Sequence, residues 1–535
     1  MRGTTTNTSD SALLRSALWL AAWFAAAKLL LHFALTLWTT HLGYRYFRDE
    51  FYYIACGHHL AWGYVDHGPV VALQARLGEM LFGSSVFALR ILSAAAGSAA
   101  VFLTGTLAWV LGGRRPAQAL AMLGLVCCPQ YIGTDGYLSM NSFEPLFWMS
   151  CVLALLLLVR EGSRPLWWSA FGVAAGVGLL NKPSMAFFLA SVAAGLLLTP
   201  QRRVLRSRWA ALGISLMLLI ALPNLLWQVH HHWPTVEFLQ NGRRGNKNMV
   251  LNPFRFFLAQ VANMQPVNAL LWIPGTVALL RGRAIKGVRW LGIAAAVFFA
   301  GMTALHAKDY YLAAVYPALF AAGAAAWEHR FARARRVAEG RLFAFPALEA
   351  VLVITSIVIL PMSSPVLRPE TWVRYTAALH LHRSATETAA SGPLPQFYAD
   401  RFGWQEEVDL VRKTFLALSP ADRRRVCIFT NNYGEAGAID FLGQSRATGT
   451  ADVLPPALSG HNNYWLWGTH GCDPDVVIAV VHDTPEELLR KYTSVQTAGR
   501  LTNAWAMPFE HKSVYLLRGR RAIAPFRWED ERFYF

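Results

Sequence analysis

Apolar runs too long for buried core helices recur through the first two thirds of this 535-residue chain. Backbone that enters hydrocarbon must satisfy its own polar groups, so such runs become membrane-crossing helices. At about 20 residues per crossing, the first lies at Ala17–Trp38, followed by Ser85–Leu111, Ala117–Ile132, Phe143–Val159, Leu166–Leu180 and Ser184–Leu198. Trp209–Trp227, Val267–Leu280, Trp290–Leu305, Tyr311–Trp327 and Phe343–Pro361 complete a set of about eleven spans. Only 15% of residues are charged, against about 25% in an ordinary soluble domain, and the mean hydropathy is +0.31. A simple soluble enzyme is excluded.

The formal net charge of +17 would suggest nucleic acid in a soluble protein, but its placement argues otherwise. Basic residues gather between apolar runs, at Arg114 and Arg115, Arg160 and Arg164, Arg202 to Arg208, Arg281 to Arg289, and Arg330 to Arg341. Short basic loops of this kind mark the cytoplasmic side. With residues 1–14 cytoplasmic, the membrane domain would span 15–363, and its first outer loop, 42–84, would be catalytic. An odd number of spans then places residues 364–535 in the periplasm. Their runs RVCIFT and DVVIAVV, with ELLRKYTS and SVYLLRG, read as strands and helices of a small α/β domain with a mixed sheet. Cys427 and Cys472 fall there, where an oxidising compartment allows a bridge.

Acidic residues at a membrane boundary are costly and usually have a task. Asp49 and Glu50 open the first outer loop, Asp66 and His67 follow in YVDHGP, and Glu144 sits at the outer entrance of the fourth span. Asp135 reads as a solvated loop residue. The stretch Val70–Phe82 has apolar residues at helical spacing with Gln74, Arg76 and Glu79 between them, the pattern of a helix on the membrane surface.

Taken in order, RDEFYY, YVDHGP, SMNSFEPLFW, NKPSMAFF and HAKDYYLAAVYPAL resemble the integral-membrane GT-C glycosyltransferases, within them the branch of protein O-mannosyltransferases and the lipid A aminoarabinose transferase. The resemblance covers about residues 14–330. It implies inverting transfer of a sugar from a polyprenyl-phosphate donor to a lipid, glycan or protein acceptor at the outer face of a bacterial inner membrane. It makes Asp49 the catalytic residue. A hydroxyl is a poor nucleophile, and a carboxylate in hydrogen-bond reach can take its proton. Glu144 is the second catalytic candidate, with Glu50 supporting the loop and Asp66 orienting sugar hydroxyls.

A departing lipid phosphate needs fixed cations. Lys182 and Lys308 match lysines of the family pattern, and His306, Arg243 and Arg244 are further candidates, with Tyr310 and Tyr311 as hydroxyl donors or stacking partners. Where the aminoarabinose transferases carry an acidic residue followed by lysine and proline, this chain has Asp66-His67-Gly68-Pro69. His67 could replace that lysine only when protonated, which Asp66 would favour. No cofactor is required, since lysines can receive a monophosphate, although Asp49, Asp66, His67 and Glu144 could jointly offer ligands to a divalent metal. A secondary transporter or lipid flippase is the alternative. Such proteins place charges near the midplane on broken helices, whereas here they gather at one interface.

Overall fold

The computed structural model describes residues 5–245, 249–283, 285–334, 344–381, 388, 390, 392–443 and 453–535. Residues 335–341 of the last basic cluster read from the sequence lie outside these. Every one of the eleven apolar stretches is helical within the described residues. Among the described residues, six helices are long and apolar enough to cross a membrane singly, and a seventh crossing arises if the bent pair Ser184–Leu197 and Pro200–Arg206 counts as one span. That pair turns by 113° at Thr199, because Pro200 supplies no N–H and disfavours helical backbone before it. Pro129 likewise splits the third stretch into helices Arg115–Val126 and Pro129–Thr134.

The chain forms two compact units. The first comprises residues 1–38, 81–226 and 250–366 and is a helical assembly around one apolar core. Its outward-facing positions are themselves apolar: on the helix Thr5–His41, Trp19, Trp23, Leu30 and Leu37 are exposed while Lys28 and His32 are buried. This inside-out pattern suits a hydrocarbon solvent. The helices Ala269–Arg281 and Tyr316–Ala334 approach until a Cβ on Gly323 would collide with the Leu271 carbonyl. Such small-residue contacts let backbones pack closely where lipid offers no hydrophobic drive.

Asp135 corrects the sequence expectation. It is buried, with Lys28 Nζ 3.1 Å from its carboxylate and His32 Nε2 at 3.9 Å. Gly97 leaves the room, since a Cβ there would overlap the carboxylate. An apolar surrounding tolerates this charge only because its partner reaches it from another helix.

The second unit comprises residues 39–80, 227–249 and 367–535. Strands β1 (Cys427–Thr430), β2 (Ala457–Ser459), β3 (Val476–Val481), β4 (Tyr492–Arg500) and β5 (Ser513–Arg520) form one mixed sheet in the order β2-β1-β3-β5-β4. β1 is parallel to β2 and β3, whereas β5 runs antiparallel to β3 and β4. The uniformly apolar VVIAVV is buried throughout as the central strand, as expected of a strand covered on both faces. The stretch ELLRKYTS is helical only to Lys491. Thr484 and Glu487 cap its start, and from Tyr492 the chain turns extended and pairs along β5. A disulfide joins Cys427 to Cys472.

The segment between the first two apolar stretches is built largely into this second unit. The helix Arg48–His58 packs on the helix Tyr433–Gly443, so closely that a Cβ on Gly437 would press on Phe51. The surface helix forms as read, at Pro69–Phe82. It buries Val71, Ala72 and Ala75 and exposes Leu73, Leu77, Met80 and Leu81, the apolar face needed to lie on a bilayer.

Candidate active site

The two acidic neighbours of the first loop have different tasks. In the helix Arg48–His58, Glu50 is buried and its Oε2 accepts from the Phe47 backbone N–H at 2.8 Å, capping the helix start. Asp49, one residue earlier in the first turn, is 27% exposed. Its Oδ1 accepts from the Tyr433 hydroxyl at 2.9 Å and lies 3.5 Å from Arg48 Nε. Negative charge in this first turn also faces the positive end of the helix dipole.

Asp66 is close by in the same unit. Its Oδ1 accepts from the Tyr52 hydroxyl at 2.7 Å, and the Tyr52 ring stacks on Tyr433 with centroids 4.3 Å apart. The Asn463 amide donates to the Tyr52 oxygen, and Asn463 Oδ1 accepts from the Val65 N–H. Burial raises the Asp66 carboxyl, against the opposing pull of His67 and Tyr52. It pushes the hydroxyls of Tyr52 and Tyr433 well above their usual range, with the neighbouring carboxylates adding to it. Both phenols therefore stay protonated and donate.

His67 does not supply the cation that the missing lysine would. It is buried, its Nδ1 lies 2.8 Å from the Gly68 carbonyl oxygen, and its ring stacks on Tyr64. Burial holds the imidazole below its ordinary range and outweighs Asp66. Adjacency to an acid favoured the charged form in the sequence, but desolvation wins once the ring is enclosed.

A second cluster lies in the helical unit. Glu144, on the helix Met140–Glu161, and Lys182, in the break between helices Pro165–Asn181 and Ser184–Leu197, form an ion pair of 2.9 Å with both side chains almost fully buried. Lys182 also donates to Asn141 Oδ1 at 2.9 Å, and Ser184 donates its hydroxyl to Glu144 Oε1. The ammonium sits 4.5 Å from the Tyr311 ring centroid and 5.4 Å from that of Tyr310. Backbone irregularity explains the placement. Pro183 ends one helix, and Lys182 in extended backbone turns its side chain inward.

The remaining candidates are placed as follows along the chain. Arg243 and Arg244 are exposed in the last turn of the helix Pro234–Arg244, and His306 is exposed at positive φ. Lys308 is half-buried just before the turn that begins at Asp309. Among the described residues, no group of three or more His, Cys, Asp or Glu side chains gathers as a metal would require.

Sequence reasoning missed Tyr433, Tyr52 and Asn463 in one cluster, and Asn141 and Ser184 in the other. A signal did exist for Tyr433. In NNYGE, Asn432 Oδ1 accepts from the backbone N–H groups of Gly434 and Glu435, while Glu435 Oε2 accepts from Asn432 N. This reciprocal cap fixes Tyr433 in the first turn of its helix, but not the carboxylate that it meets.

Apolar helices in this number, with a small mixed sheet following, define a multi-pass membrane protein of the GT-C fold, as the first-loop motifs implied. Within that class the fold is shared with ArnT from Cupriavidus metallidurans in its undecaprenyl phosphate-bound crystal structure. The TM-score is 0.57 at 15% identity, covering 94% of this chain and 99% of that one. The apo structure of the same protein superposes with a TM-score of 0.54. Residues 66–227 match the dolichyl-phosphate-mannose-protein mannosyltransferase family model. Similar curated proteins include undecaprenyl phosphate-alpha-4-amino-4-deoxy-L-arabinose arabinosyl transferase 1 of Sodalis glossinidius, 27% identical over 234 residues, 40% of each chain. Lipid A galacturonosyltransferase RgtD of Rhizobium johnstonii is 27% identical over 258 residues, 45% of this chain and 50% of the relative. The chain thus spans half or less of the length of the curated relatives it matches.

Proposed function

We propose that this protein is an inverting glycosyltransferase that moves a sugar from a polyprenyl-phosphate donor to a lipid-borne acceptor at the outer face of a bacterial inner membrane. The observation that carries the reading is the division of labour among the loop acids. Glu50 is committed to its helix cap and Asp66 to Tyr52, while Asp49 presents a partly exposed carboxylate. The names of the similar proteins support a polyprenyl-linked donor and a lipid A acceptor. The disulfide Cys427–Cys472 supports a periplasmic second unit.

In this mechanism Asp49 takes the acceptor hydroxyl proton as its oxygen attacks the anomeric carbon from the face opposite the phosphate. The bond from carbon to phosphate oxygen breaks, the configuration inverts, and polyprenyl phosphate departs. Arg243 and Arg244, in the same unit as Asp49, serve as cations for that phosphate. Within the helical unit Lys182 is neutralised by Glu144, so it orients that carboxylate as much as it offers charge.

The test is turnover of a defined undecaprenyl-phosphate sugar by the purified full chain with lipid A as acceptor, followed by mass spectrometry. Asp49→Asn should abolish product while leaving thermal stability unchanged. Vectorial movement of the lipid-linked sugar without cleavage of its phosphate bond would instead mark a transporter.

A further inference from the structure

The carboxylate at Asp49 is held from outside its own loop. Tyr433 belongs to the helix that follows β1, more than 380 positions along the chain, yet its hydroxyl donates to Asp49 Oδ1 at 2.9 Å. The ring cannot swing away easily. It stacks on Tyr52, lies 4.5 Å from the His461 ring centroid, and has the Arg48 guanidinium 5.7 Å from its own. The helix that bears it is capped by Asn432 and Glu435 and pressed against Arg48 at Gly434. With Oδ1 engaged by Tyr433 and Arg48, Oδ2 has no partner among the described residues and is the oxygen left to meet a substrate hydroxyl.

We infer that Tyr433 is a positioning residue for the transfer reaction, fixing the Asp49 carboxylate so that one oxygen faces the acceptor. The helix that follows β1 thereby positions the base. This rests on Asp49 acting as the base. The ionisable groups around Asp49 are Arg48 on its own helix, Asp66 with Tyr52 and His67 beside it, and Tyr433 on the facing helix.

Removal of one hydrogen bond to a charged group predicts a loss of about 10- to 100-fold. Tyr433→Phe in the full chain should lower kcat by that factor while KM for the polyprenyl-phosphate sugar stays within about twofold. The acid limb of the kcat profile should move to higher pH, because the carboxylate loses a donor that favours its charged form. Tyr433→3,5-difluorotyrosine, a stronger donor of nearly the same shape, should move the limb the other way, and this holds even if the phenylalanine variant is destabilised. Unchanged kcat and pH profile in both variants, or a fall in activity that only tracks lost thermal stability, would overturn the assignment. If Asp49→Asn is inactive while Tyr433→Phe is fully active, this inference alone fails. If Asp49→Asn is active, the base itself is misassigned.

Discussion

Glu144 and Lys182 offer the most demanding test of how charge is accommodated in the helical unit. At 2.9 Å and an effective dielectric near 20, their attraction is about 6 kcal/mol, an upper bound before desolvation. Asn141 and Ser184 add hydrogen bonds to the charged atoms. Deleting one partner leaves the other ionised, enclosed and uncompensated, which costs about 3–5 kcal/mol. Deleting both removes the desolvation penalty along with the attraction, so Glu144→Met with Lys182→Met should lie within about 1–2 kcal/mol of the parent. The expected coupling between the two positions is therefore about 4 kcal/mol or more. Unfolding of the four chains in detergent micelles by titrated sodium dodecyl sulfate, followed by tryptophan fluorescence, measures it. The single variants should also lose activity, and the double variant should recover stability without recovering activity. Additive single effects would refute the reasoning, since they would mean that each side chain is stabilised by its surroundings and not by the other.

Lys28→Met should destabilise the helical unit by about 3–5 kcal/mol through the buried Asp135 it abandons, and adding Asp135→Asn should restore most of that loss in the same unfolding assay. In the second unit, burial first and then the nearby Glu510 push Glu407 up to about 8. A raised carboxyl favours folding below its unfolded value and loses that contribution as pH rises through the folded one. Glu407→Gln should therefore match the parent near pH 5 and melt at a higher temperature at pH 8; identical melting at both pH values would count against it. Reduction of Cys427–Cys472 frees a loop with a sequence separation of 45, and chain entropy puts the loss at up to about 4 kcal/mol. Differential scanning calorimetry with and without dithiothreitol should show a lower transition temperature for the second unit, and no change would contradict the estimate.

The membrane helices were legible because hydropathy acts along the chain: a run of apolar side chains demands hydrocarbon wherever it ends up, and all eleven stretches are helical within the described residues. The mixed sheet and the helix Pro69–Phe82 were equally readable, since short apolar runs and helical spacing are local properties. The loop acids stood out through their cost near a membrane, and Lys182 through its match to the family pattern, without regard to their neighbours. Local reasoning failed wherever partners come from afar. Asp135 looked solvated because Lys28 lies 107 positions away in the chain, and His67 looked chargeable because enclosure cannot be seen from an adjacent aspartate. Sequence alone therefore determined which segments are apolar enough for lipid, which have a soluble composition and which residue types could carry chemistry. Only the tertiary structure decided which charge neutralises which, and that Tyr433 of the helix after β1 holds Asp49, because hydrogen bonds and desolvation depend on distance in space and not on separation along the chain.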